Sequence, residues 1–240
     1  MNFYDLHTHI LPGVDDGAQD LMQAQNMLLN AAASDVSTVV VTPHCGIIGP
    51  NSNLLTPELK SRFTALQEAA ADIPVKLLLG AEVRITDQTI PLLQEGLLPT
   101  INGSRYLLTE FPADFPEMLF PRVLEQLLSN GVVPLVAHPE RYEAICKNPM
   151  AVAQWVNMGC HIQLTGGSIT GKFGSVVRRA CETLLDRGLV CCVASDAHDL
   201  YRRSNFLADV YDHLSTYYSK QCANILMTEN PRAICNNQKI

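Results

Sequence analysis

Phe3-Tyr4-Asp5-Leu6-His7-Thr8-His9 opens the chain as a short β-forming run with polar residues at every second position, and Asp15-Asp16-Gly17 follows closely. On an extended strand side chains alternate between faces, so Asp5, His7 and His9 are expected to point one way and Leu6 and Thr8 the other. Two imidazoles at period two form a metal-ligand pair. The Leu11-Pro12-Gly13 turn would bring the carboxylates of Asp15 and Asp16 back over the strand end. A lone His-x-His carries little weight, but later strands repeat the pattern.

Outward from this stretch, apolar β-branched runs recur at 3–6, 38–42, 75–79, 106–109, 132–136, 161–164 and 190–194. Segments of helical periodicity lie between them, at 18–33, 57–70, 116–128, 149–158 and 174–187. Thr56-Pro57 and Asn148-Pro149 read as an N-cap followed by proline at the first helical position. Gly131, Gly159 and Gly188 fall where a left-handed C-cap is expected. Strands alternating with helices, with no linker or repeat, predict an α/β fold with a parallel sheet in one domain, residues 1–240. From Arg203 onward the chain reads as helical, with Asn230-Pro231 starting a last short helix that caps the fold.

The chemistry collects where the strands end. The first gives His7 and His9, the second Thr42-Pro43-His44, the third Gly80-Ala81-Glu82 and the fourth Glu110. The fifth gives His138-Pro139-Glu140-Arg141 and the seventh Ser195-Asp196-Ala197-His198, where the period-two pairing returns. Only the sixth, ending near Thr165-Gly166-Gly167, offers no strong ligand. Active sites of parallel α/β folds lie beyond the carboxyl ends of the strands, so these groups should converge. Histidines and carboxylates buried together conflict electrostatically unless divalent cations join them. A mixed His/carboxylate set suits Mn²⁺, Fe²⁺ or Zn²⁺, and it is too large for one ion. His161 and His213 sit outside the pattern and receive no role.

The 240 residues are 47% hydrophobic and 17% charged, as in a globular enzyme. A net charge of −7 without a basic run argues against nucleic-acid binding, and no apolar run is long enough for membrane insertion. The start of the chain lacks a signal-peptide pattern, and the eight cysteines show no C-x-x-C spacing. Buried reduced thiols in a cytoplasmic protein are expected.

The quoted motifs, together with Ser104-Arg105-Tyr106, Gly171-Lys172-Phe173-Gly174 and Asn230-Pro231-Arg232, resemble the polymerase-and-histidinol-phosphatase (PHP) superfamily. Within it they are most similar to the bacterial tyrosine-protein phosphatases of capsule and exopolysaccharide operons. The resemblance implies a distorted (β/α)7 TIM-like barrel with two to three divalent metals, usually Mn²⁺. Its ligands would be His7, His9, Asp16, His44, Glu82, Glu110, His138, Asp196 and His198, with Glu82 bridging. Arg141 and Arg203 match arginines placed near the phosphate, and Asp5 would orient a histidine.

Three divalent ions against four carboxylates leave about +2, enough to draw a phosphate dianion into an acidic protein. The implied reaction is in-line attack by a metal-bridging hydroxide, with both arginines on nonbridging oxygens and His198 as a candidate proton donor. The implied substrate is the phosphotyrosine tail of a bacterial tyrosine kinase. Alternatives are a histidinol-phosphate or other small-molecule phosphatase, or a noncatalytic metal-binding regulatory module; a nuclease fits the charge less well. A homo-oligomer is compatible with the sequence.

Two further motifs fail on inspection. Cys181-x5-Arg187 has the spacing of cysteine-dependent tyrosine phosphatases but lies within a helical pattern. Gly166-x4-Gly171-Lys172 resembles a P-loop, yet Phe173 replaces the hydroxyl residue that would hold Mg²⁺, which suits a substrate-side loop better. Segments 45–56 and 111–117 should rim the site, where Phe111, Phe115 or Phe120 could pack on a substrate ring. Trp155 reads as core.

Overall fold

The computed structural model describes residues 1–46 and 52–240. Of the expected rim segment 45–56, residues 47–51 lie outside the described residues. Among the described residues nine strands form: β1 Phe3–Thr8, β2 Val36–Val41, β3 His44–Cys45, β4 Lys76–Leu79, β5 Glu82–Arg84, β6 Tyr106–Glu110, β7 Val133–Ala137, β8 His161–Thr165 and β9 Cys192–Ala194. They pair only in parallel, in the orders β1-β2-β4 and β3-β5-β6-β7-β8-β9.

These nine strands make seven staves. β2 and β3 are one stave interrupted at Thr42-Pro43, and β4 and β5 are another interrupted at Gly80-Ala81. Proline supplies no N–H to the ladder. The Thr42 hydroxyl takes up the slack by accepting from the Thr8 amide at 2.8 Å. Beside it Gly80 makes a close approach: a Cβ there would lie 3.0 Å from Val40 and 3.3 Å from the Thr42 methyl. The pairing resumes with the Glu82 amide donating to Pro43 O at 3.1 Å.

The sheet closes into a distorted barrel along β1 and β9. The Asp196 amide donates to His7 O at 2.9 Å and the His9 amide to Ala197 O at 2.8 Å, with a parallel bridge between Thr8 and Ala197. Inside the barrel Leu6, Val40, Leu78, Leu108 and Leu135 pack together. A larger apolar layer lies between the staves and the outer helices.

The strict alternation expected from Asp5 to His9 is broken by a bulge. Asp5 pairs with Val39 and Thr8 with Val41, so β1 advances three residues against two. Leu6 joins the inner apolar cluster, while His7 and His9 still face each other.

Helices follow the expected caps with some shifts. Leu21–Ala33 starts later than its apolar pattern because the Asp20 side chain accepts from the Gln23 amide. Pro57–Ala69 is capped by Thr56, as expected. Asn148 makes no side-chain cap, and a 3-10 turn over Pro149–Ala151 precedes the helix Val152–Asn157. Gly131, Gly159 and Gly188 adopt the expected left-handed backbone. The C-terminal part is helical from Ala208 and not already from Arg203, through Ala208–Tyr217, Lys220–Asn224 and Asn230–Cys235. Ile234 and Cys235 pack into the inner cluster, and the Tyr106 hydroxyl donates to Gln238 O at 2.6 Å. The chain end thus plugs the amino-terminal mouth of the barrel.

Candidate metal centre

The opposite mouth gathers the strand-end residues. The short β1 extension carries His7 and His9, and the 10–17 turn folds back over it. Gly17 permits this, because a Cβ there would sit 1.9 Å from His9 O. At the other side of the seam Asp196 has φ +55, and after β7 His138 has φ +34. Left-handed backbone on non-glycine residues is uncommon and stores strain where it occurs. Here it aims both side chains at the same point.

The resulting distances are short. His7 Nε2 and His9 Nε2 lie 3.1 Å apart, each 3.3 Å from Glu82 Oε2. His44 Nδ1 is 3.0 Å from Glu82 Oε2 and His138 Nε2 is 2.8 Å from Glu82 Oε1. Asp16 Oδ1 is 3.3 Å from both His44 Nε2 and His198 Nε2.

Four overlapping groups have ligand atoms within 4.8 Å of one another. They are His9/Asp16/His44/His198, His7/His9/Glu82, His7/His138/Asp196 and His44/Glu82/Glu110. All nine residues named from the sequence are therefore brought together, and Glu82 belongs to two groups.

The donor set fits divalent cations on a further ground. His7 Nδ1 faces Gln163 Oε1 at 3.0 Å and His9 Nδ1 faces the Asp15 carboxylate at 2.8 Å. Those oxygens can only accept, so each imidazole donates through Nδ1 and turns the lone pair of Nε2 inward. Two lone pairs at 3.1 Å repel unless a proton or a cation stands between them. Ligands at about 2.1 Å from one ion have this separation. Asp196 Oδ1 and His198 Nε2, both buried, have no hydrogen-bond partner.

The electrostatics point the same way. Burial pushes the His9 imidazole down, but the Asp15 and Glu82 carboxylates outweigh it and carry it to about 10. Burial raises Glu82, yet His7, His138 and His44 hold it well below the usual carboxylate range. Glu110 is pushed up by burial and by Glu82. Burial, with the positive charges of His9 and Arg203, lowers His198 to about 3. His9 and Glu82 are thus held as a basic imidazole against an ionised carboxylate, while His198 keeps its lone pair free, an arrangement that divalent cations would satisfy.

Arg141 and Arg203 reach the rim, about a quarter exposed (29% and 26%), and both donate to Asp196 Oδ2. The Arg141 guanidinium also lies over the Phe173 ring, 5.0 Å from its centroid. A cavity of about 320 Å³ opens beside Glu110, His138 and Arg141, bordered by Phe115 and Tyr142.

Several expectations need correction. Asp5 does not orient a histidine ring: its Oδ1 accepts from the Ser195 amide at 2.9 Å and lies 3.5 Å from the His7 amide, so it pins the backbone of the seam. Ring orientation belongs to Asp15 and Gln163 instead. Gln163 escaped the sequence reading because one glutamine in a strand looks unremarkable. Its signal is period two: His161, Gln163 and Thr165 alternate with Ile162 and Leu164, and Gln163 is fully buried. Of the three aromatics proposed for a substrate ring, Phe111 and Phe120 are buried against each other and Trp155, leaving only Phe115 partly open. Glu140, also missed, is fully buried and accepts from the Thr165 amide at 3.0 Å.

Other expectations are met. Trp155 is core. All eight cysteines are free, and Cys181 is buried with its thiol pushed far up by burial, unfit as a nucleophile. Gly166–Ile169 is helical, not a phosphate-binding loop. Among the described residues no helix is long and apolar enough to cross a membrane.

Comparison with known proteins places this geometry in context. The chain is 32% identical over 249 residues to the tyrosine-protein phosphatase YwqE of Bacillus subtilis, spanning 98% of this chain and 92% of that protein. It is 31% identical over 245 residues to the tyrosine-protein phosphatase CpsB of Streptococcus pneumoniae, spanning 98% and 99%. A solved structure from work on YwqE and CpsB, described as unique metal-dependent tyrosine phosphatases, superposes with a TM-score of 0.91 at 31% identity, covering 99% of this chain and 96% of that one. The model of the family described as capsular polysaccharide synthesis, CpsB/CapC, matches residues 3–236, and the chain belongs to that family.

Proposed function

We propose that this chain is a metal-dependent protein-tyrosine phosphatase, one catalytic domain over residues 1–240. The observation that carries the reading is the convergence of nine His, Asp and Glu donors beneath two guanidinium groups at one barrel mouth. The ligands are His7, His9, Asp16, His44, Glu82, Glu110, His138, Asp196 and His198. Glu82, whose two oxygens face different histidines, would serve two neighbouring donor groups. Mn²⁺ suits this mixed nitrogen and oxygen set. Bound divalent cations supply Lewis-acid charge and lower the pKa of water to near neutrality.

The chain's own residues do the rest. Arg141 and Arg203 swing from Asp196 Oδ2 to the nonbridging oxygens of the phosphate, and their planar forks match its geometry. They hold the charge that develops as the ester bond breaks. Asp15 and Gln163 fix the His9 and His7 rings, so the ions stay placed. His198 Nδ1 donates to Asp196 O at 3.1 Å, which turns the unpartnered Nε2 lone pair into the site, so we assign it as a ligand and not as the acid. The cavity beside Phe115 accommodates the phenol ring.

The family's capsular context and the relatives' names support a phosphotyrosyl protein as substrate, specifically the tail of a tyrosine kinase controlling polysaccharide synthesis. Eight free thiols suit the reducing cytoplasm. The test pairs metal analysis with a substrate panel. Two to three Mn²⁺ per chain and turnover of phosphotyrosine peptides over histidinol phosphate are expected. Preference for histidinol phosphate, or hydrolysis that survives chelation, would overturn the reading.

A further inference from the structure

The two flanks of the metal centre differ in charge. On the Glu110 side the cavity is bordered by Glu110, Glu117 and Glu143, with Arg141 and His138 its basic residues among those described. Past Arg203 lies a second, much smaller cleft, of about 10 Å³, lined by Lys172, Arg202 and Arg203, with Phe173 and Phe206 among its apolar walls and no carboxylate among the described residues. Lys172 and Arg202 are exposed and neither has an ion-pair partner among the described residues. The nearest acid along the chain, Asp199, is occupied: its Oδ1 accepts from the Tyr201 and Arg202 amides at 2.6 Å.

This cleft is continuous with the reaction site. Arg203 belongs to both, through Asp196, and Phe173 stacks under Arg141. Exposed aromatic surface lies alongside, with Tyr201 88% exposed and Phe206 40%. Unpaired cations next to open apolar surface favour a partner that brings negative charge on a chain with some apolar character. Gly167, Lys172 and Phe173, from the stretch expected to form a substrate-side loop, line this cleft.

We propose that the Lys172/Arg202 cleft docks acidic residues flanking the phosphotyrosine of the protein substrate. The proposal rests on the phosphotyrosine phosphatase reading above and adds to it a sequence preference around the scissile group. Exposed charge pairs are weak individually, so the preference should be modest and should shrink with salt.

The test uses three phosphotyrosine peptides of equal length, flanked by Glu, by Ser or by Lys, on the metal-loaded full chain. For the native protein kcat/KM should favour the Glu peptide over the Ser peptide by about three- to tenfold at low salt. In the double variant Lys172→Glu/Arg202→Glu the ratio should fall to about one or below, while Lys220→Glu on the C-terminal helices should keep it. Taking the ratio within each protein cancels differences in folded or metal-loaded fraction. Equal turnover of all three peptides by the native chain overturns the docking proposal alone, as does a preference that survives the double substitution. Turnover of a small phosphomonoester with none of any peptide overturns the phosphotyrosine reading, and the docking proposal with it.

Discussion

The two mouths of the barrel handle burial in opposite ways. At the amino-terminal mouth Tyr106, Ile234 and Cys235 fill the opening with apolar surface, and the Tyr106 hydroxyl is satisfied by Gln238 O. At the carboxyl-terminal mouth His7, His9, Glu82 and Asp196 are fully buried, with polar atoms left facing one another. One end is closed by hydrophobic burial, the other by groups that need cations to coexist. Stability and chemistry are therefore separated along the barrel axis, and substitutions at each end should fail differently.

The largest effect should come from Glu82→Gln. It removes the carboxylate shared by two donor groups, so metal content should drop by at least one ion per chain and kcat by about a thousandfold or more. Elemental analysis with steady-state kinetics checks both, and retained metal would break the assignment of Glu82 as bridge. Arg141→Ala should keep the metals and lower kcat about 10²–10³-fold, a loss of charge stabilisation alone. Gln163→Leu touches neither metal nor substrate; it should weaken metal affinity about 10- to 100-fold by freeing the His7 ring, visible in a Mn²⁺ titration of activity.

Ile234→Ala sharpens the comparison from the other end. It should cost about 2–5 kcal/mol of stability by leaving a cavity in the plug. Metal content and kcat at 25 °C should stay at native values, measured by thermal melting beside the same assays. A loss of metal affinity equal to that of Gln163→Leu would show that the two mouths are not separable.

Most strands and helices were legible because each is announced locally: β-branched runs between caps such as Thr56-Pro57, and C-terminal glycines such as Gly131. Eight of the nine donors were legible because each stands at or just beyond the end of such a run, whereas Asp16, on the turn after β1, was singled out from Asp15 only by the family resemblance. Closure of the ring was not, since it depends on hydrogen bonds such as Ser195 to Asp5 between residues 190 positions apart. The β1 bulge was hidden for a related reason: only its partner strand reveals the extra residue. Gln163 and the two arginines on Asp196 show the same limit. What a residue is can be read from the chain, but what it faces is decided by packing.

The seam between β1 and β9 joins the beginning of the chain to its last strand, and the donors straddle it: His7 and His9 on one lip, Asp196 and His198 on the other. An ion held there acts as a clasp. Its ligands would exist as a set only after the final stave has been made and has found the first, so a growing or nicked chain lacking residues beyond β9 would be without Asp196 and His198, two of the nine donors. Metal affinity and barrel closure are one linked equilibrium, in which each ion bound to the closed form also holds it shut.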